Sequence, residues 1–155
     1  MLLITFKFKI MQIIVLGAGL VGGPIAIDLS KDTRFDVSIA DISKAQLDKI
    51  QDENINKIII NLSDPMVVTE LVKDFDYAIN AVPGFMGYQT LKAIIEAGKD
   101  VIDIAFFPED PFDLDKLAKE KNVTAIMDCG VAPGMSNILT GYVHHLLDKT
   151  ETALT

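Results

Sequence analysis

From Met11 onward, short uninterrupted apolar runs alternate with segments whose apolar residues recur at helical spacing. The runs at 13–16, 36–40, 57–60, 77–81, 101–104 and 123–127 predict six strands. Most show no polar alternation, as expected of parallel strands covered on both faces. Between them, segments 21–30, 44–52, 66–73, 88–97 and 113–121 predict helices, with 135–147 as a further one. Start and stop residues support several of these. Ser43 is placed to cap the second helix, Asp64 to cap the third with Pro65 at its first position, and Gly98 to close the fourth. Strands alternating with helices of this length imply an α/β fold, a doubly wound parallel sheet.

The two ends read differently. Phe6, Phe8 and Ile10 alternate with Lys7 and Lys9 as in a half-exposed strand, so residues 1–10 are either an extension of the first strand or a leader before a start at Met11; the leader is favoured. Residues 11–148 form the expected domain, and 149–155 begin what reads as a further strand, the start of a substrate domain that is largely absent.

Composition narrows the function. A chain of 155 residues, 50% hydrophobic and 23% charged, makes one well-packed domain. A net charge of −8 argues against a nucleic-acid partner, which requires clustered Lys and Arg. Lys7, Lys9, Gly17 and Gly19 interrupt the apolar stretch at the N-terminus, so no membrane span is expected. The single cysteine, Cys129, allows no internal disulfide and fits a cytoplasmic setting. Neither Cys129 nor His144 and His145 has partners at metal-ligand spacing, so no metal is expected.

The strongest local signal follows the first strand. Gly17, Gly19 and Gly22 make G-x-G-x-x-G between a strand and a helix. Chemistry requires this pattern: the first glycine for a tight turn, the second for close approach to a pyrophosphate, the third for helix–strand packing. The helix N-terminus then offers N–H groups to the phosphates. Asp41 ends the second strand about 20 residues further on, where a carboxylate accepts from ribose hydroxyls and repels the extra phosphate of NADP. NAD is therefore expected over NADP, although Lys44 lies close enough to neutralise a phosphate. The third strand ends in Asn61-Leu62-Ser63-Asp64, near an adenine; the fourth in Asn80-Ala81-Val82-Pro83-Gly84, against a nicotinamide ribose. Asp103 and Asp128 end strands on the ligand side and are weak catalytic candidates; no nucleophile–base pair is visible, so the catalytic residue stays open.

The segments GAGLVG, the AD of the second strand end, NAVPG and above all DCGVAPGMSNILTGY resemble the saccharopine dehydrogenase-like oxidoreductases, within them the lysine ε-dehydrogenases, over Met11 to about Asp148. The resemblance implies a Rossmann domain preceding a substrate domain, and NAD(P)-dependent chemistry at a C–N bond of an amino acid such as lysine or saccharopine. It implies cofactor contacts at Gly17, Gly19, Leu20, Val21, Gly22, Asp41, Ala81, Val82 and Pro83, with Pro133, Gly134 and Asn137 on the substrate side. Saccharopine-forming members resemble G-x-D-P-G at this loop, whereas Ala132 stands where their Asp would be, which favours the lysine dehydrogenase branch. Phe106 and Phe107 stand where relatives carry polar or hydroxylated residues, which leaves the substrate open. An unpartnered strand and apolar surface would favour a homo-oligomer. The alternatives are a stand-alone NAD-sensing domain of the potassium-transport type, which has no evident use for the DCGVAPGMSN loop, and a Rossmann scaffold without ligand.

Overall fold

A computed structural model describes residues 9–153. Residues 6–8 of the N-terminal alternation therefore lie outside the described residues. Six strands form one parallel sheet: β1 (Met11–Leu16), β2 (Phe35–Asp41), β3 (Ile55–Ile59), β4 (Tyr77–Asn80), β5 (Asp100–Asp103) and β6 (Ala125–Ile126). Their order is β3-β2-β1-β4-β5-β6, that of a doubly wound dinucleotide-binding sheet, in which the chain reverses direction of winding between β1 and β4. The helices are α1 (Gly22–Leu29), α2 (Lys44–Leu47), α3 (Pro65–Val72), α4 (Gly84–Glu96), α5 (Asp115–Lys121) and α6 (Met135–Leu146).

The unbroken apolar run of β1 has a direct cause. Ile13 and Val15 face one cluster, with Val37, Ile39, Ile79 and Ala26 of α1. Ile14 and Leu16 face the other, with Val68, Leu91 and Ile94 of α3 and α4. Each fully buried Ile, Leu or Val contributes about 1.5–3 kcal/mol, so both faces of the strand must be apolar. The expected caps form: Ser43 accepts from the Gln46 N–H at 3.3 Å and Asp64 from the Met66 N–H at 2.9 Å. At the end of α4, Gly98 donates to the Ile95 carbonyl and Lys99 to that of Ile94, the paired bonds of a Schellman motif.

Most boundaries shift by a residue or two from the sequence reading, and some differences have a clear cause. Helix α2 ends at Leu47 rather than 52, because Lys49 and Ile50 turn back to carbonyls three residues earlier and the chain enters β3 at Ile55. Helix α4 begins at Gly84, a turn before 88. Its first turn holds Gly84 and Gly87, poor helix formers that close packing requires: a Cβ on Gly84 would stand 2.0 Å from the Phe106 carbonyl oxygen, and one on Gly87 2.8 Å from Ala105 Cβ. Helix α5 is preceded by a 3-10 turn, Pro111–Leu114, capped by Asp110. Strand β6 pairs only at Ala125 and Ile126. Residues 147–153 form no strand, since no ladder among the described residues receives them.

Candidate dinucleotide-binding site

The glycine loop lies at the carboxyl end of β1, at the reversal point. Gly17 has φ +102°, a conformation side chains resist, and a Cβ there would come within 2.6 Å of the Ala81 carbonyl oxygen. A Cβ on Gly22 would stand 2.0 Å from the Gly17 carbonyl oxygen. Both glycines are thus demanded by packing. Gly19 is not: an added Cβ meets nothing within 4 Å. Among the described residues the N–H groups of Gly19, Leu20, Val21 and Gly22 make no hydrogen bond. Four unpaired donors converge on the N-terminal end of α1, beside a glycine whose missing side chain only a ligand would need.

Asp41 secures this loop. Its Oδ2 accepts from the Ala18 N–H at 2.8 Å and its Oδ1 from the Ser43 N–H at 2.7 Å. Each carboxylate oxygen keeps further acceptor capacity for a ribose hydroxyl. Lys44, the expected counter-charge for a phosphate, instead bonds Asp48 at 2.6 Å along α2. A cleft of about 270 Å³ joins Gly17 and Asp41 to Ser63, Val82 and Pro83, with Ile42, Leu62, Phe85 and Met86 completing its apolar wall. Asp64 does not line it, its carboxylate being the cap of α3. Ile42, Phe85 and Met86 escaped the sequence reading; their one signal is a large apolar residue directly after each strand-end motif.

On the other side of the Ala81–Gly84 turn lies a cleft of about 360 Å³ lined by Val21, Phe106, Asp128, Val131, Pro133 and Met135 among others. The 128–134 loop is held by its own backbone: Met135 and Ser136 donate to the carbonyls of Gly130 and Val131. The Ala132–Pro133 bond is cis. A Cβ on Gly134 would meet the Gly130 carbonyl oxygen at 2.2 Å. Asn137 accepts from the Gly134 N–H at 3.1 Å, so its carbonyl oxygen caps α6 and only its amide nitrogen remains for a substrate. Asp128 lines the cleft in a left-handed conformation, φ +58°.

Asp103 sits behind that wall. It is fully buried, accepting from Asn80 Nδ2 at 2.6 Å and from the Ala105 N–H at 2.7 Å. Burial pushes its carboxyl up to about 6, against the pull of these bonds and with a further push from Asp128. Asn80, equally buried, also donates to the Gly87 carbonyl at 3.0 Å. Its Oδ1 has no partner among the described residues, an orphaned acceptor that costs about 1–3 kcal/mol. Burial and both aspartates raise the Cys129 thiol, keeping it protonated. His144 pairs with Thr150 at 2.9 Å. A further cleft, about 580 Å³ between α4, α5 and β6, lies away from the glycine loop. Among the described residues no group of three or more His, Cys, Asp or Glu could hold a metal, and no helix is long and apolar enough to cross a membrane.

Fold and site together define a Rossmann domain of the NAD(P)-binding type. A family model, the saccharopine dehydrogenase NADP binding domain, matches residues 13–126, and the chain belongs to that family. It is 24% identical over 130 residues to mitochondrial alpha-aminoadipic semialdehyde synthase of Mus musculus, and 23% identical to that of Bos taurus, covering 83% of this chain and 14% of each relative. Among solved structures it superposes on saccharopine dehydrogenase (L-Glu forming) of Saccharomyces cerevisiae with TM-score 0.77 and 18% identity, over 88% of this chain and 31% of that one. Biliverdin reductase of Synechocystis, in complex with biliverdin and NADP+, gives TM-score 0.65 and 16% identity over 89% and 42%. The chain thus spans less than a third of the saccharopine dehydrogenase and about a seventh of the synthases.

Proposed function

We propose that this chain binds NAD in preference to NADP and is the cofactor domain of an oxidoreductase acting at the C–N bond of an amino acid of the lysine or saccharopine kind. The observation that carries the reading is the glycine loop, where unpaired N–H groups surround a residue 19 that packing leaves free to be anything. The N–H groups of Gly19 to Gly22 hold the pyrophosphate. Asp41 receives the ribose hydroxyls, and Ile42, Phe85 and Met86 cover the adenine. The Ala81–Pro83 turn backs the nicotinamide ribose, and the cleft at Phe106, Asp128 and Pro133 takes the substrate on the far side. A bound nicotinamide supplies a hydride acceptor, by which an amine-bearing carbon is oxidised to an imine. The chain's own part is to orient the partners and, with a mainly apolar cleft, to limit water. Residues 11–148 are the cofactor domain. The family match favours this reading over an NAD sensor.

Cofactor preference is tested by thermal unfolding. At a ligand concentration 100 times its Kd, NADH should stabilise by about 2.7 kcal/mol, a melting shift of about 5–10 °C at this size. NADPH should shift it less, and Asp41→Ala should narrow the gap. An equal or larger shift with NADPH would overturn the preference; no shift with either would overturn the site.

A further inference from the structure

The buried pair Asn80–Asp103 touches neither proposed cleft, yet it joins every turn on the nicotinamide side. Asn80 closes β4, and its Nδ2 donates both to the Gly87 carbonyl in the first turn of α4 and to Asp103 Oδ2 at the end of β5. Asp103 Oδ1 takes the Ala105 N–H. The backbone repeats the connection: Ile104 donates to the Asn80 carbonyl at 3.1 Å and Cys129 to the Asp103 carbonyl at 3.1 Å. The turns after β4, β5 and β6 are thereby fixed to one another around two side chains. Ala81 follows Asn80 directly, and its carbonyl oxygen stands 2.6 Å from where a Cβ on Gly17 would be. Two features show that bonding alone does not explain the pair. Asn80 Oδ1 goes unpartnered among the described residues, and a carboxylate is retained where burial disfavours its charge. An apolar pair of like size would satisfy the core without either defect; what it would lose is an acceptor with one oxygen for each of two donors, which sets the spacing of two turns.

We propose that Asn80 and Asp103 are positioning residues that hold the Ala81–Gly84 turn at the height at which it receives the nicotinamide half of a dinucleotide, a role that rests on the dinucleotide reading above. An amide at 103 cannot replace the carboxylate. It offers one acceptor oxygen, so either Asn80 Nδ2 or the Ala105 N–H would face a second donor, and the two turns would part. The adenosine half, held by Asp41 and the glycine loop on the other side of β1, would be untouched.

The test compares two probes on the 155-residue chain, NAD+ and ADP, which shares the adenosine and both phosphates but lacks the nicotinamide and its ribose. Calorimetry would measure both affinities for the wild type, Asp103→Asn and Asn80→Ala, with circular dichroism and melting as controls. The wild type should bind NAD+ more tightly than ADP. Asp103→Asn should weaken NAD+ by about tenfold while leaving ADP within twofold. The emission change of the nicotinamide ring on binding NADH should shrink with it. Asn80→Ala should act in the same direction; if it fails to fold, Asp103→Asn decides alone. Parallel loss of both probes, or no loss of either, would overturn the proposal and leave the dinucleotide site standing. A wild type that binds neither probe would overturn the dinucleotide reading itself, and one that binds both equally would show that no nicotinamide increment exists to be positioned.

Discussion

A side chain at residue 19 has nothing to collide with except what the loop binds, whereas residues 17 and 22 are constrained by the fold itself. Gly19→Val should therefore separate binding from folding. We expect NADH affinity to fall at least about a hundredfold, near 3 kcal/mol, with the melting temperature within about 3 °C of wild type. Retained affinity, measured by NADH fluorescence titration, would mean the loop is only a turn. Asp103 gives a second residue-scale expectation. Its carboxyl titrates near 6 in the fold against an ordinary 3.8, so folding favours the neutral form more than water does, while the carboxylate still predominates at neutral pH. Its contribution is present in full below about pH 4. It is lost as pH rises toward 6, because the unfolded chain ionises first, and it amounts to about 3 kcal/mol for a shift of about two units. Urea unfolding of wild type and Asp103→Asn across pH 4–8 should show the stability difference shifting against wild type by that amount over this window. A flat difference would contradict the assignment.

At the scale of elements, β1 and the turn into α1 were legible, because a strand covered on both faces must be apolar throughout and the glycine spacing admits few alternatives. The start of α4 was not. Gly84 and Gly87 lower helix propensity in that turn, and their reason lies far along the chain, in the backbone of Phe106 and the side chains of Ala105 and Phe107. Gly84→Ala should therefore destabilise despite its better helix propensity. The added methyl meets a carbonyl oxygen at 2.0 Å, an overpacking worth about 1–3 kcal/mol, and the melting temperature should drop by about 3–10 °C. A rise on calorimetry would show that the turn can yield. Helix α6 shows the converse: its apolar stripe was plain in sequence, yet Ile138, Leu139, Tyr142, Val143 and Leu146 are exposed in the structure. A periodic stripe states that a face is to be covered; it does not state by what.

For the molecule as a whole, the cleft beside the glycine loop is built from several directions and the cleft proposed for the substrate from one. Phe106, Val131 and Met135 at that second cleft are half or more exposed, so a substrate proposed there lacks the walls that hold reacting atoms within about 3–3.5 Å. Mixed with NAD+ and L-lysine or saccharopine, this 155-residue chain should bind cofactor yet form little NADH at 340 nm. Sustained turnover at roughly 1–10³ s⁻¹ would show the cleft to be sufficient. By itself the amino-acid sequence determined the α/β class, the strand and helix order, the glycine loop and the acid that follows it, because each depends on local spacing and on which residues water rejects. Tertiary structure alone decided that Asp41 ties the loop to the β2 turn, that the Asn137 oxygen is occupied as a cap, that Phe85 and Ile42 share one cleft, and that Asn80 meets Asp103 in the interior. These depend on residues about 20 or more apart in the chain, or on one of several hydrogen-bond partners winning, and only the register of parallel strands and the packing of helices across them fixes such distances.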